Sequence, residues 1–196
     1  MDPFLIPVQL VIIACYLMRF SLINRLPEPS RTRYTWFAAD ITCTIGTWWK
    51  TILVPIVLTL LAAGIWLGLH HAALHQYPEI QVPNPIVIYV IVSCIFAPIM
   101  EEILQGAMLS ALFLIFSRYW TDLRTINLMM AAGLVFSAVL FAFFHENPAF
   151  VNWLVRFFMF VLYGGLYYLN RWNLLPAIVA HATWNGVVAG IAVVTA

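Results

Sequence analysis

The sequence predicts an all-α protein, a polytopic bundle of about six transmembrane helices. Three observations carry that expectation. Of 196 residues, 64% are apolar and only 9% charged, against roughly 45–50% and about 25% in soluble domains. Mean hydropathy is +0.94, and a water-soluble globule of this length cannot hide that much apolar surface. The apolar residues also gather into runs near 4–23, 51–69, 86–117, 126–145, 149–169 and 173–196, each close to the ~20 residues needed for one crossing. Composition argues against disorder and secreted disulfide scaffolds, and a net charge of +1 argues against nucleic acid as a partner.

Taken in order, the run 4–23 follows only Asp2. It lacks the basic region and small-residue cleavage site of a signal peptide and reads as a membrane helix. The stretch 24–50 is the longest polar segment and mixes charges with Trp36, Trp48 and Trp49, as an amphipathic piece at the interface does. After the run 51–69, the connection 70–85 holds His70, His71 and His75. His71 and His75 have metal-pair spacing, but a solvated interfacial cluster is the expected reading. The run 86–117 is too long for one upright crossing, and Pro98 marks a kink or break inside it. The last three runs are ordinary crossings joined by short connections. Cys15, Cys43 and Cys94 are odd in number and widely spaced, so they read as small hydrophobes and form neither a disulfide nor a metal set.

Basic residues set the expected orientation. Arg19, Arg25, Arg31, Arg33 and Lys50 surround the first connection, Arg118 and Arg124 the third, and Arg171 the fifth. The connections 70–85 and 146–148 have no Lys or Arg. The positive-inside rule makes the basic side cytoplasmic and puts both termini outside. Arg156 alone falls within a span.

Ionisable groups inside spans are costly, by about 2.5–3.5 kcal/mol on insertion scales, and mark functional sites. Here they are Glu101, Glu102, His145, His181 and Arg156. Asn185 follows His181 by four residues, and Phe141 precedes His145 by four, so each pair shares a helical face. Singly, each has a structural reading: a packed histidine, an amide joining helices, an arginine that snorkels or pairs with a carboxylate. Together, on separate spans, they are expensive unless they converge. At 1.5 Å per residue from the cytoplasmic ends, Glu101 lies roughly 24 Å up, His145 roughly 28 Å, Asn185 roughly 20 Å and His181 roughly 14 Å, which allows convergence toward the outer side.

These residues resemble the CPBP family, the CAAX proteases and bacteriocin-processing enzymes, which are glutamic intramembrane proteases. Its motifs are Glu-Glu-x-x-x-Arg, Phe-x-x-x-His and His-x-x-x-Asn. The chain has PIMEEILQGAML with Glu101 and Glu102, FAFFH with Phe141 and His145, and HATWN with His181 and Asn185. The likeness covers 86–196 as a catalytic core, with 1–85 as N-terminal membrane helices and their connecting loop. One position departs: the family arginine falls at Gly106, and a Glu102–Arg156 pair is the expected substitute.

The resemblance implies an intramembrane endopeptidase cutting a membrane-associated peptide or protein tail, and the expected orientation puts its site toward the outer face of a bacterial plasma membrane. Glu101 and His145 polarise a water, Glu101 acting as base. His181 and Asn185 donate to the oxyanion, Glu102 supports the site, and no cofactor is needed. Zinc is the alternative, since two histidines and a glutamate make a ligand set; no His-Glu-x-x-His helix is present. A non-catalytic scaffold or regulatory relative, favoured by Gly106, and a small proton-coupled transporter are the rival functions.

Overall fold

The computed structural model describes residues 48–74, 86–144, 150–170 and 172–195. The expected first helix at 4–23, most of the segment 24–50, and His75, His145 and Arg171 lie outside the described residues. A π-helical turn, Trp49–Leu53, leads into α1 (Val54–Leu74). Then come α2 (Ile86–Ile91), a second π-helical turn at Val92–Phe96, α3 (Ala97–Tyr119), α4 (Leu123–Phe144), α5 (Phe150–Leu169) and α6 (Leu175–Thr195). Among the described residues, five helices, Trp49–Ala72, Val87–Tyr119, Leu123–Phe143, Phe150–Leu169 and Leu175–Val194, are long and apolar enough to cross a membrane. They match the expected second to sixth runs.

Burial runs opposite to that of a soluble protein. Leu61, Ile65, Leu128 and Phe136 are exposed, whereas Glu102, Gln105, Ser110, Ser137 and His181 are buried. Apolar residues facing outward suit a lipid solvent, and polar ones inside must find protein partners. Hydroxyls do so locally: Ser117 donates to the Phe113 carbonyl at 2.7 Å, Ser137 to Gly133 at 2.8 Å and Thr183 to Val179 at 2.7 Å.

Trp48 and Trp49, expected in an interfacial connection, begin the α1 crossing instead, with the Lys50 ammonium 4.9 Å from the Trp49 ring centre. Lysine stems and indoles are stable at a helix end near the headgroups, so the span gains these residues without burying the charge. At the start of α4, Asp122 accepts from the Thr125 amide at 2.8 Å and its hydroxyl at 2.7 Å, and from the Arg124 amide at 3.3 Å. These bonds hold the Asp122 carboxyl below its ordinary value, as an N-cap does.

The core forms where α3, α5 and α6 meet around Leu109, Met159, Tyr163, Tyr167, Trp172 and Leu174. Two glycines let the backbones approach. A Cβ at Gly106 meets Leu174 Cδ2 at 2.8 Å and Tyr167 Cζ at 3.3 Å; one at Gly164 meets Leu134 Cδ1, and Gln105 Nε2 at 2.8 Å. The α5–α6 turn is therefore tucked against the middle of α3. Trp172 sits there with φ 67°, in the left-handed region that usually selects glycine or asparagine. The residue is 2% exposed and its indole packs edge-on against Phe113, Tyr167 and Tyr168, so core burial offsets the backbone strain.

Candidate active site

The run through Pro98 does not break. It changes register: the Ala97 amide bonds to the Val92 carbonyl, five residues back. The next donor in that register belongs to Pro98, which has no N–H, so the Ser93 carbonyl loses its helical partner. The Asn185 side-chain amide replaces it, donating to Ser93 O at 2.7 Å. A π-turn beside a functional segment is a recurrent device; here it lies one turn before the acidic pair and is held from α6.

Glu101 and Glu102 follow on α3. Glu102 is buried, and its Oε1 lies 2.7 Å from His181 Nδ1 on α6. The other ring nitrogen, Nε2, lies 3.8 Å from Glu101 Oε2. The imidazole thus stands between the two carboxylates. Side-chain exposures of 3% for Glu102, 10% for His181 and 40% for Glu101 separate them: Glu102 is sequestered, while Glu101 is open to whatever enters. Tyr163 from α5 stacks on the imidazole, ring centres 4.7 Å apart and planes within 12°. With Nδ1 engaged by Glu102, Nε2 is the ring nitrogen that faces Glu101 and the open side.

The expected depths put His181 about 10 Å below Glu101, yet the two residues meet. That estimate assumed that every connection lies in one plane. Glu102 is seventeen residues from Tyr119 and His181 six from Leu175, a difference of about 16 Å at 1.5 Å per residue. The inward-tucked α5–α6 turn, admitted by Gly106, absorbs it.

Gly106 also answers the motif departure. A Cβ there comes within 2.8 Å of Leu174 Cδ2 and 3.3 Å of Tyr167 Cζ, so the position serves close helix packing. Its neighbour Gln105 donates to the Phe160 carbonyl at 2.8 Å, and Ser110 shares a 3.1 Å hydrogen bond with the Tyr167 hydroxyl. Arg156 is half-buried on α5, and the bond that Glu102 makes is with His181. Phe141 packs on Phe160 with ring centres 4.7 Å apart, one turn before the undescribed His145.

Asn185 lies one turn beyond His181 and lines an open cleft of about 210 Å³ with Tyr89, Val92, Ser93, Ala97 and Val188. One of its amide hydrogens is committed to Ser93. One other expectation shifts. His70, expected in a solvated cluster, is buried edge-on against Trp66 at 6.1 Å, because α1 turns that face toward α6, where Trp66 meets Trp184 at 5.0 Å; His71 is exposed. Cys94 is a free, half-buried thiol, and among the described residues no three His, Cys, Asp or Glu side chains group as a metal site.

Sequence reasoning missed Ser93 and Tyr163. Ser93 was findable, lying five residues before the mid-span proline. Nothing in the sequence marks Tyr163 among the other aromatics of α5.

Comparison with known proteins adds one finding. The family described as Rce1-like, type II CAAX prenyl endopeptidase Rce1-like, matches residues 83–187. No curated protein and no solved structure matches the chain.

Proposed function

Because the chain belongs to the Rce1-like type II CAAX prenyl endopeptidase family, a family of membrane peptide hydrolases, we propose that it is a glutamate-dependent intramembrane endopeptidase. Its substrate is a membrane-anchored peptide tail. The observation that carries this reading is the imidazole of His181 held between Glu102 at 2.7 Å and Glu101 at 3.8 Å. Residues far apart in sequence are gathered there inside a bundle with an apolar exterior.

Glu101, the more exposed carboxylate, takes a proton from a water as the water oxygen attacks the scissile carbonyl. The C–O bond forms, and the carbonyl electron pair moves onto oxygen as an oxyanion. His181 donates from Nε2 to that oxyanion, and Asn185 contributes its second amide hydrogen. As the C–N bond breaks, Glu101 returns the proton to the leaving amine. Glu102 fixes the imidazole without attacking. His145 joins Glu101 in polarising the water, as the resemblance implies. No metal or cofactor enters the scheme. The charge asymmetry of the connections supports a site toward the outer face, with both termini outside.

The test is cleavage by the protein in proteoliposomes of two probes: a farnesylated peptide with a CAAX terminus, and an unprenylated peptide ending in an apolar helical tail. Glu101→Gln should abolish cleavage while the far-ultraviolet circular dichroism and melting temperature hold. A Glu101→Gln protein that cuts as fast as wild type overturns the reading. The filled position at Gly106 favours a second reading, a non-catalytic relative on the same scaffold, for which neither probe is cut by wild type.

A further inference from the structure

One hydrogen bond does not fix an imidazole. The 2.7 Å contact between His181 Nδ1 and Glu102 Oε1 holds one ring atom and leaves the ring plane free to tilt about it. At the opposite edge, Nε2 stands 3.8 Å from Glu101 Oε2, beyond hydrogen-bond length, so that contact does not stop the tilt. Yet Nε2 is the atom that the proposed scheme aims at the oxyanion. A misplacement of about 1 Å there costs on the order of a hundredfold in rate.

The tilt is blocked from α5. The Tyr163 ring lies flat against the imidazole, ring centres 4.7 Å apart and planes within 12°, so a tilting imidazole runs into the phenol ring. The Tyr163 hydroxyl is buried and has no hydrogen-bond partner among the described residues. A tyrosine buried for the sake of its hydroxyl finds a partner; this one is placed by its ring.

Tyr163 is held in turn from α3. Gln105, one turn after Glu101, donates across 2.8 Å to the carbonyl of Phe160, one turn before Tyr163. The absent side chain of Gly164 leaves room for that amide, since a Cβ there would stand 2.8 Å from Gln105 Nε2. The contacts close a circuit through three helices: Glu102 to His181, His181 to Tyr163, and Phe160 back to Gln105. All five residues are buried.

We propose that Tyr163 is a positioning residue, whose ring face sets the plane of His181, and that the Gln105–Phe160 bond sets Tyr163. The phenol hydroxyl takes no part.

The role rests on the peptidase reading, and its test keeps the two apart. The readout is kcat and KM for the farnesylated peptide in proteoliposomes, below the melting temperature of every variant. Tyr163→Leu keeps apolar bulk and removes the ring face. It should lower kcat by about tenfold to a hundredfold with KM changed less than about twofold, as for an interaction needed in the transition state. Tyr163→Phe keeps the ring and should hold kcat within about twofold of wild type. Its melting temperature should hold or rise, because an unpaired buried hydroxyl is gone. Gln105→Leu releases α5 and should lower kcat by roughly three- to tenfold at constant KM.

A tenfold loss of kcat in Tyr163→Phe assigns the role to the hydroxyl and overturns the proposal. Wild-type kcat in Tyr163→Leu overturns it as well. Should Tyr163→Leu not fold, Tyr163→Phe and Gln105→Leu decide, and wild-type kcat in Gln105→Leu counts against it. Glu101→Gln as active as wild type overturns the peptidase reading instead. If wild type cuts neither probe, melts of Tyr163→Leu, His181→Ala and the double variant still read the stack, and additive losses overturn it.

Discussion

The side-chain amide of Asn185 donates to the backbone carbonyl of Ser93 across 2.7 Å, repairing the hydrogen bond that Pro98 removes from the helix before the acidic pair. The bond ties α6 to the π-turn and so fixes how Glu101 and Glu102 face His181. Asn185→Ala strands a carbonyl in an apolar setting, which costs about 1–3 kcal/mol. The low end is expected, because both residues border an open cleft that water can reach. Pro98→Ala returns an N–H to the chain, so in that background the Asn185→Ala cost should shrink toward zero. Thermal melts of the two single variants and the double variant measure the coupling, and simple additivity refutes the repair.

Glu102 carries the next prediction. Removing His181 leaves the buried Glu102 carboxyl without its 2.7 Å partner, and a buried hydrogen-bonding group left unsatisfied costs about 1–3 kcal/mol. His181→Ala should therefore destabilise, and Glu102→Leu should relieve most of that loss in the double variant. The parallel cycle with Arg156 tests its proposed role as the replacement for the arginine missing at Gly106. Removing both Glu102 and Arg156 should be milder than the sum of the singles, and an additive result dismisses that role.

Much of this was legible in the sequence because lipid makes polarity expensive. Glu101, Glu102, His181 and Asn185 stood out as hydrophilic groups on apolar spans, and the periodicity of 3.6 put His181 and Asn185 on one face. Pairing was not legible. Only the tucked α5–α6 turn lets His181 rise to meet Glu102, and that depends on Gly106 and Gly164, whose value is the absence of a side chain. The register change at Pro98 was half legible: the proline announced a disturbance, but not that α6 supplies the missing donor. Tyr163 resembled every other aromatic of α5 until it was seen against the imidazole.

Adjacent glycines on α5 should respond in opposite directions. Gly164→Ala pushes a methyl into Leu134, Gln105 and Leu109 and disturbs the Gln105 bond to Phe160. Overpacking of this kind costs about 1–3 kcal/mol, more than alanine's helical advantage of up to ~1 kcal/mol. A Cβ at Gly165 meets nothing within 4 Å, so Gly165→Ala gains the helical advantage with no clash. The melting temperature should fall in the first variant and hold or rise in the second.

Asp122 gives a pH-dependent signature away from the site. Its carboxyl is held low by the bonds from Thr125 and Arg124, so its stabilising effect is present above the unfolded aspartate value and is lost as pH falls through the folded one. Asp122→Ala should lower the melting temperature at neutral pH. The gap to wild type should close on acidification below the ordinary aspartate range of about 3.9. A gap that persists at acid pH argues against the cap.

Metal dependence separates the water-only scheme from a zinc enzyme. Zinc accepts nitrogen and oxygen ligands at about 2.0–2.2 Å, and His181 Nε2 and Glu101 Oε2, 3.8 Å apart, can both reach one ion after a small side-chain adjustment. They make two ligands, and the described residues add no third His, Cys, Asp or Glu to the group. Two such ligands bind zinc weakly. On the proposed scheme such an ion would occupy the base and the oxyanion donor together and so inhibit. Cleavage should survive dialysis against 1,10-phenanthroline with a rate changed less than about twofold, and added zinc should lower that rate reversibly, an effect that Glu101→Gln cannot mimic because it is already inactive. Loss of activity on chelation, restored by stoichiometric zinc, replaces the glutamate-and-water scheme with a metal-bound hydroxide held by Glu101, His181 and a further ligand.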